Sequence, residues 1–365
     1  MLKAGIIGCG KIADQHAEAI QRINGCEIVG VCDSEGLMAK QMQERFNVKR
    51  SFSDVKEFLK VSEPEVVHIT TPPQSHFELG KICLESGCHV YIEKPFTVNT
   101  AEAEQLVEIA ERKKLMVTAG HNVQFTHAAR RMRKLIDDGY LGGPPVHLES
   151  FYCYSFGNTS YAKAALGDKN HWMRTLPGKL LHNIISHGIS KIAEFLTSES
   201  PKVIAYGFTS PLLKSIEETD IIDELRVIIY DNNNTTAYFT FSSQMRPVLH
   251  QLRVYGPKNC LVIDDDHETL IKLSGAKYKS YLDQFVPPII FGKQYLSNSI
   301  QNITKFIKRD LYMDAGMKFL IEAFYHSVKD GSPVPIPYRE IILTSKIMDS
   351  IFEQIYSDQK IERTH

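Results

Sequence analysis

Three stretches of the chain hold residue types that do chemistry on a hydroxyl-bearing carbon. The first is Glu93-Lys94-Pro95, which closes a short apolar run, His89 to Ile92. A lysine at the end of a buried strand is partly desolvated, which depresses its pKa and lets it exchange a proton with a substrate hydroxyl. The same residues also read as a surface lysine paired with Glu93. The second stretch is residues 181–196, where Asn183 and His187 are four apart and share a helix face. A histidine one turn from an amide acts as a general base of fixed orientation; alternatively, His182 and His187 are satisfied helix histidines. The third is the loop 152–179, with Tyr154, Phe156, Tyr161, Asn170, His171, Trp172 and Arg174. Aromatic faces stack on sugar rings and polar groups bind hydroxyls, although an ordered surface loop has the same composition.

The residues that would serve these groups lie at the N-terminus. The apolar run Ala4 to Ile7 passes straight into Gly8-Cys9-Gly10-Lys11-Ile12-Ala13, and a second apolar run, Ile28 to Cys32, ends on Asp33. Strand, glycine turn, helix, strand and acid, in that order, form the dinucleotide-binding pattern. Gly8 permits the tight turn, Gly10 lets the backbone approach a pyrophosphate, and Ala13 allows close helix packing. The helix start at Lys11 and Ile12 offers N–H groups and a positive dipole end to phosphates. Asp33 stands where a carboxylate accepts hydrogen bonds from the adenosine ribose and repels a 2′-phosphate, which favours NAD over NADP. An ordinary glycine turn that binds nothing is the alternative.

Composition narrows the classes. With 42 basic and 43 acidic residues in 365, there is no basic excess to engage nucleic acid. The length allows two cores. A strand begins within the first six residues, so no signal peptide is expected. No apolar run is long enough to span a membrane. The seven cysteines are scattered without a C-x-x-C pair. They read as buried thiols of a reducing cytoplasm, not as disulfides or metal ligands. Asn233-Asn234-Thr235 matches a glycosylation acceptor, idle without secretion.

The elements that must position these residues follow from periodicity. Helices are expected over 35–45, 53–60, 75–86 and 99–113, the last with an Asn99/Glu102 capping box. Buried strands are expected at 66–70, 89–92 and 115–119. Short apolar strands alternating with helices mean a parallel sheet covered on both faces, with ligands at its carboxyl edge. After Phe125 a helix over 127–138 leads into strands at 146–154, 203–208, 224–230, 237–241, 251–255, 260–263 and 270–273, in series, as in an antiparallel sheet with one open face. The domain boundary is placed at Asn122, giving domains 1–122 and 123–365. Residues 278–312 hold an apolar run, 285–291, and a basic amphipathic stretch, 295–308. Such a stretch packs on a neighbouring subunit, covers a cleft, or lies on a membrane. Closing helices are expected over 315–328 and 339–355.

Taken together, Gly8-x-Gly10-x-x-Ala13, Thr71-Pro72-Pro73-x-x-His76, Glu93-Lys94-Pro95 and the helix ending in His187 resemble the Gfo/Idh/MocA oxidoreductases, over nearly the whole chain. The resemblance implies an α/β fold. It comprises an N-terminal Rossmann doubly wound parallel sheet and a C-terminal α+β domain whose large open, mainly antiparallel sheet makes a homodimer or homotetramer. It implies NAD-dependent hydride transfer at a hydroxyl of a sugar, nucleotide-sugar or cyclitol. Lys94 corresponds to the family's active-site lysine and His187 to its acid/base histidine. The cofactor set is then Gly8, Gly10, Lys11, Ile12, Asp33, Thr71, Pro72, His76, Glu93, Lys94 and Asn122. The substrate set is Lys94, Tyr154, Trp172, Arg174, Lys179, Asn183 and His187. One position departs from the family: Asn183 stands where an aspartate is usual, and an amide holds a hydroxyl but takes no proton. Lys179 replaces a glycine and places a cation that could meet a substrate carboxylate or phosphate. Two other readings stand beside this one: redox-assisted lyase or glycosidase chemistry on a retained NAD, and a non-catalytic NAD-binding sensor or scaffold, which the Asn183 departure supports.

Overall fold

A computed structural model of the chain describes residues 1–232, 235–311 and 315–362, without the side chains of Tyr161, Ala165, Ala315 and 358–362. The Asn233-Asn234 acceptor, the Tyr161 ring and Tyr312 therefore lie outside the described residues. Contacts divide the chain into two units, Met1–Asn122 with Gly316–Lys346, and Val123–Ala315 with the chain from Ile347.

In the first unit, each continuous apolar run is a strand and each one-sided apolar pattern is a helix. The order is β1 (Leu2–Ile7), α1 (Lys11–Gln21), β2 (Cys26–Cys32), α2 (Gly36–Phe46), β3 (Ser51–Phe52), α3 (Val55–Ser62), β4 (Val66–Ile69), α4 (His76–Glu85), β5 (His89–Ile92), α5 (Thr100–Lys113) and β6 (Val117–Ala119). Caps set the helix starts. Asp54 accepts from the Glu57 N–H, and Asn99 accepts from the Glu102 N–H while Glu102 reaches back to the Val98 N–H. The sheet order is β3-β2-β1-β4-β5-β6, all parallel, and Ile6 lies between Val31 and His68. The two-residue β3 is the strand that sequence periodicity does not show.

The second unit contains α6 (His127–Asp137), β7 (His147–Tyr152), α7 (Thr159–Leu166), α8 (Lys179–Ile184), α9 (Ser186–Ala193), β8 (Lys202–Phe208), α10 (Pro211–Lys214), β9 (Glu224–Tyr230), β10 (Thr236–Ser242), β11 (His250–Tyr255), β12 (Asn259–Asp264), β13 (Thr269–Ser274) and α11 (Leu282–Ile307). Its sheet runs β13-β12-β11-β7-β10-β9-β8, antiparallel except for the parallel β7–β10 pair. One face is covered by α9. A Cβ on Gly188 would lie 2.3 Å from the Phe239 ring, so only glycine lets the helix come this close. The Ser150 hydroxyl then donates to the Gly188 carbonyl. On the other face, Ile204, Tyr206, Ile228 and Tyr238 are exposed.

Two expectations about helices change. Residues 285–291 and 295–308 belong to one helix, α11, despite Pro287 and Pro288. The missing N–H groups would have served Asp283 and Gln284, exposed residues of the first turn. The polar face of α11 closes the free edge of β13: Asn298 pairs with both backbone groups of Leu270, and Gln294 with those of Lys272. Its apolar residues Leu282, Phe285, Ile289, Leu296, Ile300, Ile303 and Ile307 are exposed. No described helix is long and apolar enough to cross a membrane. The closing helices do not both stay with the second unit as expected: α13 (Tyr338–Glu362) belongs to it only from Ile347, while α12 (Ala315–Asp330), from Gly316, and the first part of α13 return to the first unit. There Phe324 meets Tyr91 edge-on and Tyr325 hydrogen-bonds to His68.

Candidate active site

The parallel sheet brings the first unit's expected residues to one edge. Gly8 follows β1, Asp33 follows β2, Thr71 follows β4, Lys94 follows β5 and Asn122 lies just beyond β6, all at carboxyl ends. Gly8 has φ +93°, and a Cβ there would sit 2.7 Å from the Thr71 methyl, so the turn demands glycine twice over. Gly10 differs: a Cβ would meet nothing within 4 Å, so the space above the loop is open to a ligand. Gly10 is the N-cap of α1, and no side chain caps the turn that Lys11 and Ile12 begin. An open loop over an uncapped helix start fits a pyrophosphate. Asp33, expected at the adenosine ribose, is here bonded to the backbone. One carboxylate oxygen accepts the Cys9 N–H at 2.7 Å and the other accepts the Glu35 N–H at 2.9 Å, which ties the glycine loop to the end of β2.

The neighbouring turns are braced in the same way. The Thr70 hydroxyl donates to the Gly8 carbonyl at 2.6 Å. His76 is fully buried, and its two ring nitrogens lie 2.9 Å from the carbonyls of Thr71 and Pro95. It thus joins the Thr71-Pro72 turn to the Lys94-Pro95 turn, where the peptide bond is cis. Glu93 is buried; its two oxygens accept from His16 at 2.9 Å and from the Lys94 N–H at 3.1 Å. Burial pushes the Glu93 carboxyl up, but His16 and Lys94 outweigh it and leave it below the ordinary carboxylate range. Burial pushes the half-buried Lys94 ammonium down, against the support of Glu93. The lysine is therefore held between desolvation, which disfavours its charge, and a neighbouring anion, which favours it. His121, buried next to this pair, is lowered to about 4 by desolvation. Asn122 opens a short 3-10 turn and is half-buried.

In the second unit, the expected helix 181–196 is interrupted. Ile185 separates α8 from α9, so Asn183 ends one helical segment and His187 lies in the first turn of the next. The apolar stripe Leu181, Ile185, Ile189, Ile192 and Leu196 is buried as expected. His187 is half-buried and its ring stacks on Tyr152 at 5.0 Å. His182 is a core residue, stacked on Phe352 at 4.9 Å. Asn183 is half-buried.

The remaining expected substrate residues separate. Tyr154 is exposed and meets Phe156 edge-on. Trp172 packs on the cluster of Phe156, Leu166, Met173 and Leu180. Arg174 is turned inward, bonded to the carbonyls of Leu166 and Asp168 and to Glu218 at 2.9 Å. The Lys179 ammonium contacts the Asp220 carboxylate and carbonyl, both at 2.8 Å. Both cations are thus engaged inside their own domain. The buried histidines His16, His68 and His121 are the polar residues that the motif reading passed over. A histidine inside the apolar run Val66-Val67-His68-Ile69 was the available signal, since a buried polar group needs a partner.

Residues 2–121 match the model of an oxidoreductase family with an NAD-binding Rossmann fold. The chain is 24% identical to myo-inositol 2-dehydrogenase of Thermotoga maritima over 145 residues, 40% of this chain and 43% of that protein. That match therefore spans about two-fifths of the relative's length. It is 24% identical to UDP-N-acetylglucosamine 3-dehydrogenase of Acidithiobacillus ferrooxidans over 269 residues, 74% of this chain and 76% of that one. The solved structure of the Acidithiobacillus enzyme superposes with a TM-score of 0.74 at 20% identity, covering 98% of both chains. That likeness extends the shared fold over both domains.

Proposed function

Its N-terminal domain makes this chain a member of the Gfo/Idh/MocA oxidoreductase family, and from that premise we propose that it is an NAD-dependent dehydrogenase for a hydroxyl of a sugar, nucleotide-sugar or cyclitol. The observation that carries the reading is the shared sheet edge, which holds an open glycine loop at one strand end and Lys94 beside the low-pKa Glu93 at another. Bound NAD supplies the hydride acceptor or donor. The chain's own residues do the rest. The Gly8–Ile12 backbone takes the pyrophosphate, and Asp33 takes the ribose while repelling a 2′-phosphate. Thr71, Pro72 and Asn122 line the same edge; His76 braces it. Lys94 and His187 exchange the hydroxyl proton, Asn183 orients the substrate through its amide, and Tyr154 offers an aromatic face. Arg174 and Lys179 support the second domain's loop by their internal ion pairs. The named relatives act on a cyclitol and a nucleotide-sugar, which sets the substrate class to be screened. The open face of the second sheet is assigned to contact with a second copy. Seven free cysteines support a reducing compartment.

The test is NADH binding followed by an A340 screen of cyclitols, sugars, uronic acids and UDP-sugars. Turnover on one class should fall about a hundredfold or more in Lys94→Ala and in His187→Ala, the scale of a lost acid/base group. Asn183, which cannot take a proton, favours a second reading, a non-catalytic NAD-binding sensor. Tight NADH binding with no turnover across the panel, unchanged in Asn183→Asp, would select it.

A further inference from the structure

Beside the proposed cofactor edge, the first domain buries a line of four polar side chains: Tyr325 on α12, His68 on β4, His16 on α1, and Glu93 after β5. The Tyr325 hydroxyl is 2.7 Å from His68 Nε2, His68 Nδ1 is 2.9 Å from His16 Nδ1, and His16 Nε2 is 2.9 Å from Glu93 Oε1. The other Glu93 oxygen accepts the Lys94 N–H. The line therefore ends on the residue that sets the charge beside the proposed catalytic lysine.

The direction of the line follows from satisfying each proton. Tyr325 is 1% exposed, and His68 is the one partner of its hydroxyl among the described residues. A buried O–H that does not donate is costly, so Tyr325 donates and His68 Nε2 accepts. Burial and the neighbouring His16 hold His68 far below its ordinary pKa, so its ring carries one proton, which must lie on Nδ1. His68 then donates to His16 Nδ1, which leaves His16 its proton on Nε2, facing Glu93. An Nε2–H donor can be accepted only by an ionised or suitably turned carboxyl oxygen. In the reversed chain, Glu93 carries the proton, both rings change tautomer, and Tyr325 has no described acceptor.

We propose that His16, His68 and Tyr325 are positioning residues for Lys94: their hydrogen bonds run one way, from Tyr325 to Glu93, and keep Glu93 ionised beside the lysine. The inference deepens the dehydrogenase reading and rests on it for the role of Lys94. The groups facing this line are few. Glu93 also feels Lys94, His76 and His121, and Tyr91 stacks on His68 at 4.8 Å and meets His16 edge-on at 5.1 Å. Cys26 lies near Tyr325, and burial raises both its thiol and the Tyr325 phenol. Burial lowers His121 to about 4, so it does not supply the charge that would hold Glu93 ionised in place of the line, and both ring nitrogens of His76 face the carbonyls of Thr71 and Pro95 instead of Glu93.

The test is made on the full chain without substrate. Histidine nitrogen NMR, assigned through His16→Gln and His68→Gln, should show His68 protonated on Nδ1 and His16 on Nε2 at neutral pH. Tyr325→Phe removes the donor that sets the direction. At mildly acid pH it should show the infrared carbonyl band of a protonated buried carboxyl, absent from the wild type and abolished by adding Glu93→Gln. If the wild-type His68 proton is on Nε2, or if Tyr325→Phe shows no such band, the inference is overturned. Neither readout needs turnover, so both tautomers in place in a chain inactive on every polyol would defeat the dehydrogenase and leave the line standing. Where turnover is found, Tyr325→Phe should move the acid limb of the kcat profile to higher pH with the KM for NADH unchanged. An unmoved limb counts against the inference, because a merely structural role would lower kcat at every pH alike.

Discussion

Lys179 shows what a single position can conceal. As a residue type it reads as a cation facing a substrate anion. Its φ of +45° places it in the left-handed region, and its ammonium is tied to Asp220. A glycine would suit that backbone, so lysine there carries conformational strain that the Asp220 pairing helps to offset. Lys179→Ala loses the ion pair and keeps the strain; Lys179→Gly loses the pair and relieves it. The glycine variant should be the more stable of the two by about 1 kcal/mol in urea unfolding, the cost of a Cβ in that region. Equal stabilities would mean that the backbone relaxes when the pair is lost. Asp33 likewise has a structural engagement that its residue type does not reveal, since its two backbone hydrogen bonds tie the glycine loop to the end of β2.

At the level of elements, three histidines are buried along the first domain's sheet. His68 lies on β4, His76 opens α4, and His121 follows β6; all three are buried and all three are lowered by desolvation. Unfolding frees each to take up a proton below about 6.5, which the folded state resists. The unfolded state thus binds more protons in acid, and stability is complete above that pH and declines as the pH falls through it. For His121 the decline continues down to its folded value of about 4. Each ring can remove about 1.4 kcal/mol per pH unit in that window. Urea midpoints should therefore drop between pH 7.5 and 5.5, and more gently in His121→Phe. A flat profile would place these rings in contact with water. The strands themselves were open to reading, since every expected strand has an observed counterpart near the same residues. The interruption at Ile185 was not, because the buried stripe is continuous through it.

Across the whole molecule, two apolar surfaces remain exposed in the second unit. One is the sheet face with Ile204 and Tyr206, 65% and 66% exposed; the other is the outward stripe of α11. On the proposed reading, the sheet face meets a second copy. Ile204→Asp with Ile228→Asp should then reduce the mass measured by light scattering and leave NADH binding intact. An unchanged mass would remove the sheet face from the interface. The balanced charge of the composition argued against nucleic acid as the main partner. It could not say that Gly316–Lys346 rejoins the first unit. That return rests on burying Phe324 and Tyr325 against residues more than two hundred positions earlier in the chain.

The features legible from residue order are those whose physics is local. A glycine turn after an apolar run, an acid ending the next strand, a capping pair and a two-residue alternation each depend on neighbours a few positions apart. Hence the loop at Gly8, the end of β2 at Asp33, Lys94 after β5 and the seven-stranded sheet could be placed before any coordinates. What required the folded chain is the satisfaction of buried polar groups. His68 had to find a partner, but the sequence does not say that it is Tyr325, 257 residues away. Nor does it say that Arg174 and Lys179 turn inward to Glu218 and Asp220. Desolvation makes such groups seek partners wherever the chain brings them, and only the packed structure decides which partners those are.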